Sequence, residues 1–339
     1  MSIKRSVTLR DIANELGFSV NTISCALKGK GSINKETAAE IKKKAAEMGY
    51  IPNGTAASMR TGKTNTVAVI IGDIANAYFS IMVREIERKL RGFGYITLIF
   101  ATDEDEDNEY KSIITALEQK VDAIILFPVC HSATGSDLIR KAGIPFVLVG
   151  RHLEDKQMDY VISDDKYGGY IATNFLLKKG HRRILNLSGP SYISCARERY
   201  EGYIMAHNEM NVDVDPLLVM HCDISLEPHV ITAIDEMLSS SIPFSAVFAF
   251  SDLLAFHVCN RLRKYSIGPI EIIGYDNLQS HINFGYDISS IDTKKVEMAN
   301  RAVEIIMERM NSGDQQTAYY NEIFPVDLVL AGGKATISR

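Results

Sequence analysis

The sequence predicts an α/β protein in two parts: an N-terminal three-helix head of helix-turn-helix type, and a two-subdomain core of doubly wound parallel sheets. Three observations predict it. Residues 7–48 carry short helical repeats of apolar residues broken at glycines, and from Thr66 onward apolar runs of strand length alternate with helical segments. The charge, finally, is divided unequally between the two parts.

Residues 1–63 hold 11 Lys and Arg against 5 Asp and Glu, a balance of +6. With a net charge of −5 for the chain, residues 64–339 therefore carry −11. A small cationic module on an acidic body suits polyanion binding. Phosphate contacts supply most non-specific affinity for nucleic acid, and the acidic remainder discourages indiscriminate sticking.

In "TLRDIANELG", Thr8 can cap a first helix and Asp11 suits its N-terminal dipole; Leu9, Ile12, Ala13 and Leu16 recur at helical spacing before Gly17 stops it. After "GFS", Ser19 can cap a second helix, "VNTISCAL". Its Ile23, Ala26 and Leu27 can face the first helix, while Val20, Asn21, Thr22 and Cys25 stay outside. A third helix, Lys35 to Met48, follows an Asn34 cap, turns Thr37, Ile41 and Ala45 inward and ends at Gly49, with Pro52 just beyond.

In such a unit the second helix enters the major groove and its N-terminal residues reach base edges. Asn21 can bond an adenine edge and Val20 can touch a thymine methyl, while Ser19, Thr22, Ser24, Lys28 and Lys30 are placed to hold phosphates.

In the body, "VAVII", "YITLIF", "AIILFP" and "FVLV", then "YVIS", "RILNLSG", "AVFAF", "EIIGY" and "VDLVL", read as strands between helices. They divide near residue 162 into two groups, whose strand C-terminal ends should face a shared cleft. Candidate ligand contacts lie at those ends: Asp73, Asn76 and Phe79, then Arg151, Asp165, Arg197, Ser251 with Asp252, and Asp276 with Asn277. A carboxylate accepts bonds from vicinal hydroxyls, Arg offers a rigid fork of donors, and an aromatic face covers a sugar ring; the set suits a polyhydroxylated ligand. Asp252 is expected to cap a helix.

Several function classes find no support. No apolar run reaches the roughly 18 residues of a membrane span, and "MSIKRSVTLRD" lacks the apolar segment of a secretory signal, so a cytoplasmic protein is expected. The five cysteines, Cys25, Cys130, Cys195, Cys222 and Cys259, include no C-x-x-C pair and read as reduced thiols. The eight histidines form no metal-type cluster, and "TDEDEDNEY" lacks EF-hand spacing and reads as a solvated loop leading into a helix. No G-x-S-x-G elbow, Walker loop or G-x-G-x-x-G is present, and "KYGGY" is only a near miss. No enzyme activity, cofactor or metal is expected.

"VTLRDIANELGFSVNTISCALKGKG", "GYIPN" and "RTGKTNTVAVII" resemble the DNA-binding head and hinge of the LacI/GalR family of bacterial transcription regulators. The likeness continues in the family's order through "DIANAYFSIMVREIERKLRGFGY", "VDAIILFP", "GIPFVLVGR", "VISDDKYGGYIATNFLLKKGHRRI", "GPSYISCARERYEGY", "AVFAFSD" and "EIIGYDN". It implies a periplasmic-binding-protein-like core, with residues 64–162 plus about 292–322 in one effector-binding subdomain and 163–291 plus about 323–339 in the other.

The resemblance further implies a homodimer whose heads, residues 1–50, read half-sites of a pseudo-palindromic operator. The linker, residues 51–63, would fold into a hinge helix on DNA. Met59 stands where the family inserts a leucine into the minor groove, and Ala56 is small enough for two hinge helices to approach closely. Gly54, Thr55 and Ser58 are weak helix formers, so this segment should order only with DNA and its twin. The DNA-contacting set then comprises Thr8, Ser19, Val20, Asn21, Thr22, Ser24, Cys25, Lys28, Asn53, Ala56, Met59 and Arg60.

By family position Arg197 and Asp276 are the leading effector contacts. Three residues depart from the family's pattern: Cys25 replaces larger polar or basic residues, Gly150 stands where sugar-responsive members often carry Asp, and Ser251 where they often carry Asn. The expected function is a ligand-responsive, sequence-specific regulator, a repressor of a carbohydrate-utilisation operon. A solute-binding receptor would instead begin with a signal sequence and lack the basic head. A nucleotide-using enzyme would show a phosphate-cradling glycine loop or a paired nucleophile and base.

Overall fold

The computed structural model describes residues 7–29, 33–51, 62–129, 133–154, 157–222, 227–240, 242–268, 270–312, 318–333 and 335–338. These form two compact units, residues 1–64 and 65–339.

The head consists of α1 (Leu9–Leu16), α2 (Val20–Lys28) and α3 (Lys35–Glu47). Thr8 opens α1 with a reciprocal cap: its Oγ1 accepts the Asp11 N–H at 3.3 Å, and its own N–H donates to Asp11 Oδ2 at 2.8 Å. Gly17 closes α1 and Gly29 closes α2 at φ +71° and +63°, a conformation in which a β-carbon would clash with the backbone. Ile12, Ala13, Ile23, Ala26, Ile41 and Ala45 interlock as the core, edged by Leu9, Leu16, Leu27 and Met48. Thr37, expected inward, is only half-buried; Ala38 beside it packs on the core instead.

The body has two lobes. The first sheet has the order β11-β5-β4-β3-β1-β2, from β1 (Thr66–Ile71), β2 (Ile96–Ala101), β3 (Ala123–Leu126), β4 (Phe146–Val149), β5 (Tyr160–Ser163) and β11 (Asn321–Phe324), all parallel. On one face, α4 (Ala77–Gly92) and α11 (Lys295–Ser312) bury Met82, Ile86 and Leu90 against Met298, Ala302 and Ile306. On the other face, α5 (Glu106–Glu118) and α6 (Thr134–Lys141) bring in Ile113, Ala116 and Ile139.

The second sheet runs β13-β12-β10-β9-β8-β6-β7, from β6 (Ile184–Ser188), β7 (Val219–His221), β8 (Ala246–Ala249), β9 (Glu271–Tyr275), β10 (Ser289–Asp292), β12 (Asp327–Val329) and β13 (Thr336–Ile337). Its faces are covered by α7 (Asp165–Lys178) with α8 (Ser194–Glu209), and by α9 (Glu227–Ser239) with α10 (Asp252–Lys264). The expected wholly parallel arrangement fails at one edge, where β12 runs antiparallel to β10 and to β13.

The chain changes lobe after Ser163, after Asp292 and after Phe324. The predicted division at 162 therefore falls inside β5, and the return expected near 322 falls inside β11. Strand β10 ends in the second sheet at Asp292, and the chain then crosses to the first lobe as α11. β11 eluded the sequence reading because it is an edge strand whose residues alternate between exposed and half-buried, so it makes no apolar run. Among the described residues no helix is long and apolar enough to cross a membrane, and no group of side chains could hold a metal.

Candidate ligand cleft and DNA-reading helix

The strand C-termini of both lobes meet at a cavity of about 310 Å³. From the first lobe the loop after β1 brings Asp73 and Asn76, α4 brings Tyr78 and Phe79, and the ends of β2, β3 and β4 bring Glu104, Phe127 and Arg151. From the second lobe come Cys195 and Arg199 of α8, Phe250 and Ser251 after β8, His257 of α10 and Asp276 after β9. The placement follows from parallel sheets, in which every strand delivers its following loop to the same end.

Of the ten candidate ligand contacts expected from the sequence, Asp73, Asn76, Phe79, Arg151, Ser251 and Asp276 line this cavity. Arg197 does not, and is half-buried elsewhere on α8. The arginine that lines it is Arg199. A helix turns about 100° per residue, so two positions reverse the face. Cys195, Arg199, Gly202, Tyr203 and Ala206 share the buried face of α8, a pattern legible in "SCARERYEGYIMA" that points to 199 rather than 197.

Asp165 stands behind the cavity and holds Arg199. Its Oδ1 accepts from Arg199 Nε at 2.7 Å and its Oδ2 from Ser163 Oγ at 3.0 Å, with the Asp165 side chain 1% exposed. Arg199 Nη1 also donates to the Phe250 carbonyl at 2.6 Å, and the guanidinium lies 3.6 Å from the Tyr275 ring centroid and 4.6 Å from that of Phe250. Burial pushes the Asp165 carboxyl upward while Arg199 pulls it back.

Asn76 and Ser251 also cap helices. Asn76 Oδ1 accepts the Tyr78 N–H at 3.0 Å at the head of α4, and Ser251 Oγ accepts that of Leu254 at 3.3 Å at the head of α10. Asp252, expected as the cap, is instead a buried brace. Its carboxylate accepts from Ser290 Oγ and from the Leu278 N–H, both at 2.6 Å. Burial, reinforced by Asp276, pushes Asp252 up to about 7.

Asp276 has φ +96° and Asn277 +48°, adjacent residues in a conformation that L side chains seldom adopt. The turn is pinned from beneath by Lys295, 2% exposed, whose Nζ donates to the Asp276 carbonyl at 2.6 Å. Burial raises the Asp276 carboxyl to about 6, against the pull of Arg199 and Lys295. Asn277 itself is buried and is not among the cavity-lining residues.

Tyr78, Glu104, Phe127, Cys195, Phe250 and His257 were not expected at the cavity. Tyr78 explains the departure at 150. Gly150 has φ +72°, and a β-carbon there would lie 3.0 Å from the Tyr78 hydroxyl, so the tyrosine fills the space an acidic side chain would need. Phe79 stacks edge-on with Tyr78 and Phe127 at 5.4 and 5.5 Å. Glu104 corrects the reading of "TDEDEDNEY" as wholly solvated, since its side chain is 6% exposed and paired with Arg151. "KYGGY" is also resolved: β-carbons at Gly169 and Gly202 would lie 2.1 Å from the Arg199 and Lys166 carbonyls, so these glycines let α7 and α8 touch.

In the head, α2 buries Ile23 and Ala26 and leaves Ser19, Val20, Asn21 and Lys28 exposed, with Thr22, Ser24 and Cys25 half-buried. Ser19 Oγ accepts the Thr22 N–H at 3.0 Å, and Cys25 Sγ reaches Asn21 Oδ1 at 3.9 Å. Thr8 is taken up by its cap. Lys30, Asn53, Ala56, Met59 and Arg60 lie outside the described residues.

Comparison with known proteins follows the same division. Residues 8–53 match the family described as bacterial regulatory proteins of the lacI family, and residues 64–322 match periplasmic binding proteins and the sugar binding domain of the LacI family. The HTH-type transcriptional repressor PurR of Vibrio atlanticus (strain LGP32) is 28% identical over 315 residues, covering 91% of this chain and 93% of that protein. The HTH-type transcriptional regulator DegA of Bacillus subtilis (strain 168) is 30% identical over 276 residues, covering 80% and 81%. A transcriptional regulator CelR–cellobiose complex has the same fold, with a TM-score of 0.70 at 24% identity, over 96% of this chain and 99% of that one. With its head and its cleft each matched in turn, the chain belongs to the LacI family of bacterial regulatory proteins and is a ligand-responsive transcription regulator that binds DNA.

Proposed function

We propose that the chain acts as a homodimeric repressor of a carbohydrate-utilisation operon, with α2 in the major groove of each half-site and a polyhydroxylated effector in the cleft. The observation that carries the reading is the cavity itself, which joins two paired arginines, two further carboxylates and several aromatic rings between the two lobes of the body. The family's sugar binding domain and the cellobiose held by the CelR neighbour support a carbohydrate ligand.

Effector binding is proposed to change the angle between the lobes and thereby the DNA affinity of the heads, through linkers in which Met59 is the minor-groove wedge. Dimerisation through the first lobe is supported by β2, an edge strand that leaves Ile96 and Ile99 63% and 43% exposed, beside Phe93. No step requires catalysis.

Removal of residues 1–60 tests the division of labour. The remaining chain should stay folded and bind the ligand found by a thermal-shift screen of sugars, sugar phosphates and nucleosides, but should no longer shift operator DNA. Retained specific DNA binding contradicts the assignment.

A further inference from the structure

We infer that the cleft is built for an uncharged ligand, and that Glu104 sets this selectivity by occupying the guanidinium fork of Arg151 that a phosphate or carboxylate would otherwise take. The inference rests on the cavity being the effector site. Arg151 Nη1 donates to Glu104 Oε2 at 2.7 Å and Nη2 to Oε1 at 2.9 Å, with the two side chains 9% and 6% exposed. This two-pronged geometry is the one by which Arg recognises phosphate, so an anionic ligand must compete with a carboxylate already seated there.

The local chain is shaped to seat it. Asp103 and Glu104 both have positive φ, at +53° and +56°, which turns the Glu104 carboxylate over Gly72. A β-carbon at Gly72 would lie 2.1 Å from Glu104 Oε1, so a side chain at 72 and a carboxylate at this place exclude one another. Pro128 fixes the arginine from behind, its carbonyl accepting from Nη1 at 2.9 Å.

The second arginine is equally engaged: Asp165 and the Phe250 carbonyl take Arg199 Nε and Nη1. With Glu104 and Asp165 already matching the two arginines, the carboxylates of Asp73 and Asp276 are in excess at the cavity, although Asp276 also lies 3.9 Å from Arg199 Nη2. The N-termini of α4, α8 and α10 also end here and attract anions, each with roughly half an elementary charge. The α4 terminus is already met by the Asn76 cap and the α10 terminus by the Ser251 cap and the buried Asp252 carboxylate, whereas α8 starts without a side-chain cap. Two whole negative charges therefore outweigh what the helices offer. The acceptors that remain suit hydroxyl donors, and the paired guanidinium groups can still donate weakly to hydroxyl oxygens without drawing in an anion.

The test is thermal unfolding of the full-length protein against inorganic phosphate, with chloride balancing ionic strength, for the wild-type chain, Arg151→Gln, Glu104→Gln, and Glu104→Gln combined with Arg151→Gln. The wild-type chain should show no saturable rise in Tm, Glu104→Gln should gain one, and the double variant should lose it. A saturable rise in the wild type that Arg151→Gln removes overturns the inference, as does a folded Glu104→Gln that gains nothing. If Glu104→Gln does not fold by circular dichroism, the wild-type arm alone still decides whether a free anion site exists.

A second arm separates this inference from the reading beneath it. The wild type is titrated with neutral sugars and nucleosides and with their monophosphates. A neutral compound should bind about tenfold or more tightly than its phosphate ester. An ester binding as tightly as its parent overturns the selectivity and leaves the cavity as the ligand site. Binding that is unchanged by Asp276→Leu removes the cavity as the effector site and overturns both.

Discussion

The imidazole Nε2 of His152 lies 2.6 Å from Glu198 Oε1, and the His152 N–H donates to Ser194 Oγ at 3.0 Å, so the residue after Arg151 in the first lobe is bonded to α8 of the second. The Glu198 carboxylate holds the His152 pKa above its ordinary value, against burial and the nearby Arg197. A histidine whose folded pKa is raised contributes stability that is fully present below its unfolded value and is lost as pH rises through the folded one. The wild type should therefore lose about 1 kcal/mol more than Glu198→Gln between about pH 6 and about pH 8. Urea unfolding at the two pH values measures it, and equal losses in the two proteins refute the pairing.

Arg199 and Arg197 should separate cleanly. Arg199→Ala leaves the 1%-exposed Asp165 carboxylate without its cation and should destabilise the body by about 3–5 kcal/mol while abolishing the effector response. Arg197→Ala, outside the cavity lining, should shift stability by no more than about 0.5 kcal/mol and leave the response intact. Denaturant midpoints and an operator-release assay for each variant read both effects. Loss of the response in Arg197→Ala alone reverses the assignment.

Asp276, raised to about 6 by burial, accepts from ligand hydroxyls most strongly when ionised, since protonation turns one of its oxygens into a donor. A raised carboxyl binds its proton more readily in the folded state, so below about pH 6 the free protein gains from protonation what the ligand loses as an acceptor. Effector affinity should accordingly fall as pH drops through this value. Isothermal titration across the range checks it, and a flat profile removes the Asp276 carboxylate from ligand binding.

Gly202→Ala places a β-carbon 2.1 Å from the Lys166 carbonyl, a backbone atom that cannot swing aside. The crossing of α7 and α8 should open, at about 3 kcal/mol, and Arg199 on the same face should move with it. Both stability and effector affinity should drop. An alanine variant as stable as the parent shows that the helices have room the close approach denies them.

The sequence was most legible where a residue's role is set by its immediate neighbours. The Thr8 and Ser19 caps, the glycine stops of α1 and α2, and the strands "VAVII", "FVLV" and "EIIGY" follow from spacing and local hydrogen bonding, and the structure has them where spacing put them. It was less legible for the short edge strands β7, β11 and β13, which are held by pairing with neighbours rather than by an apolar run.

Alternation of strands and helices by itself determined two sheets, one cleft and the ends of strands that meet there, because a parallel strand has to deliver its loop to a common edge. Only the tertiary structure decided which side chains point into that cleft. Arg199 rather than Arg197, a buried Glu104 from an apparently solvated acidic loop, and Tyr78 standing over Gly150 each depend on a partner distant in the chain, at Asp165, Arg151 and Gly150 respectively. Linear order carries helical phase and turn chemistry, whereas the pairing of buried charges is set by distances that exist only once each lobe has folded.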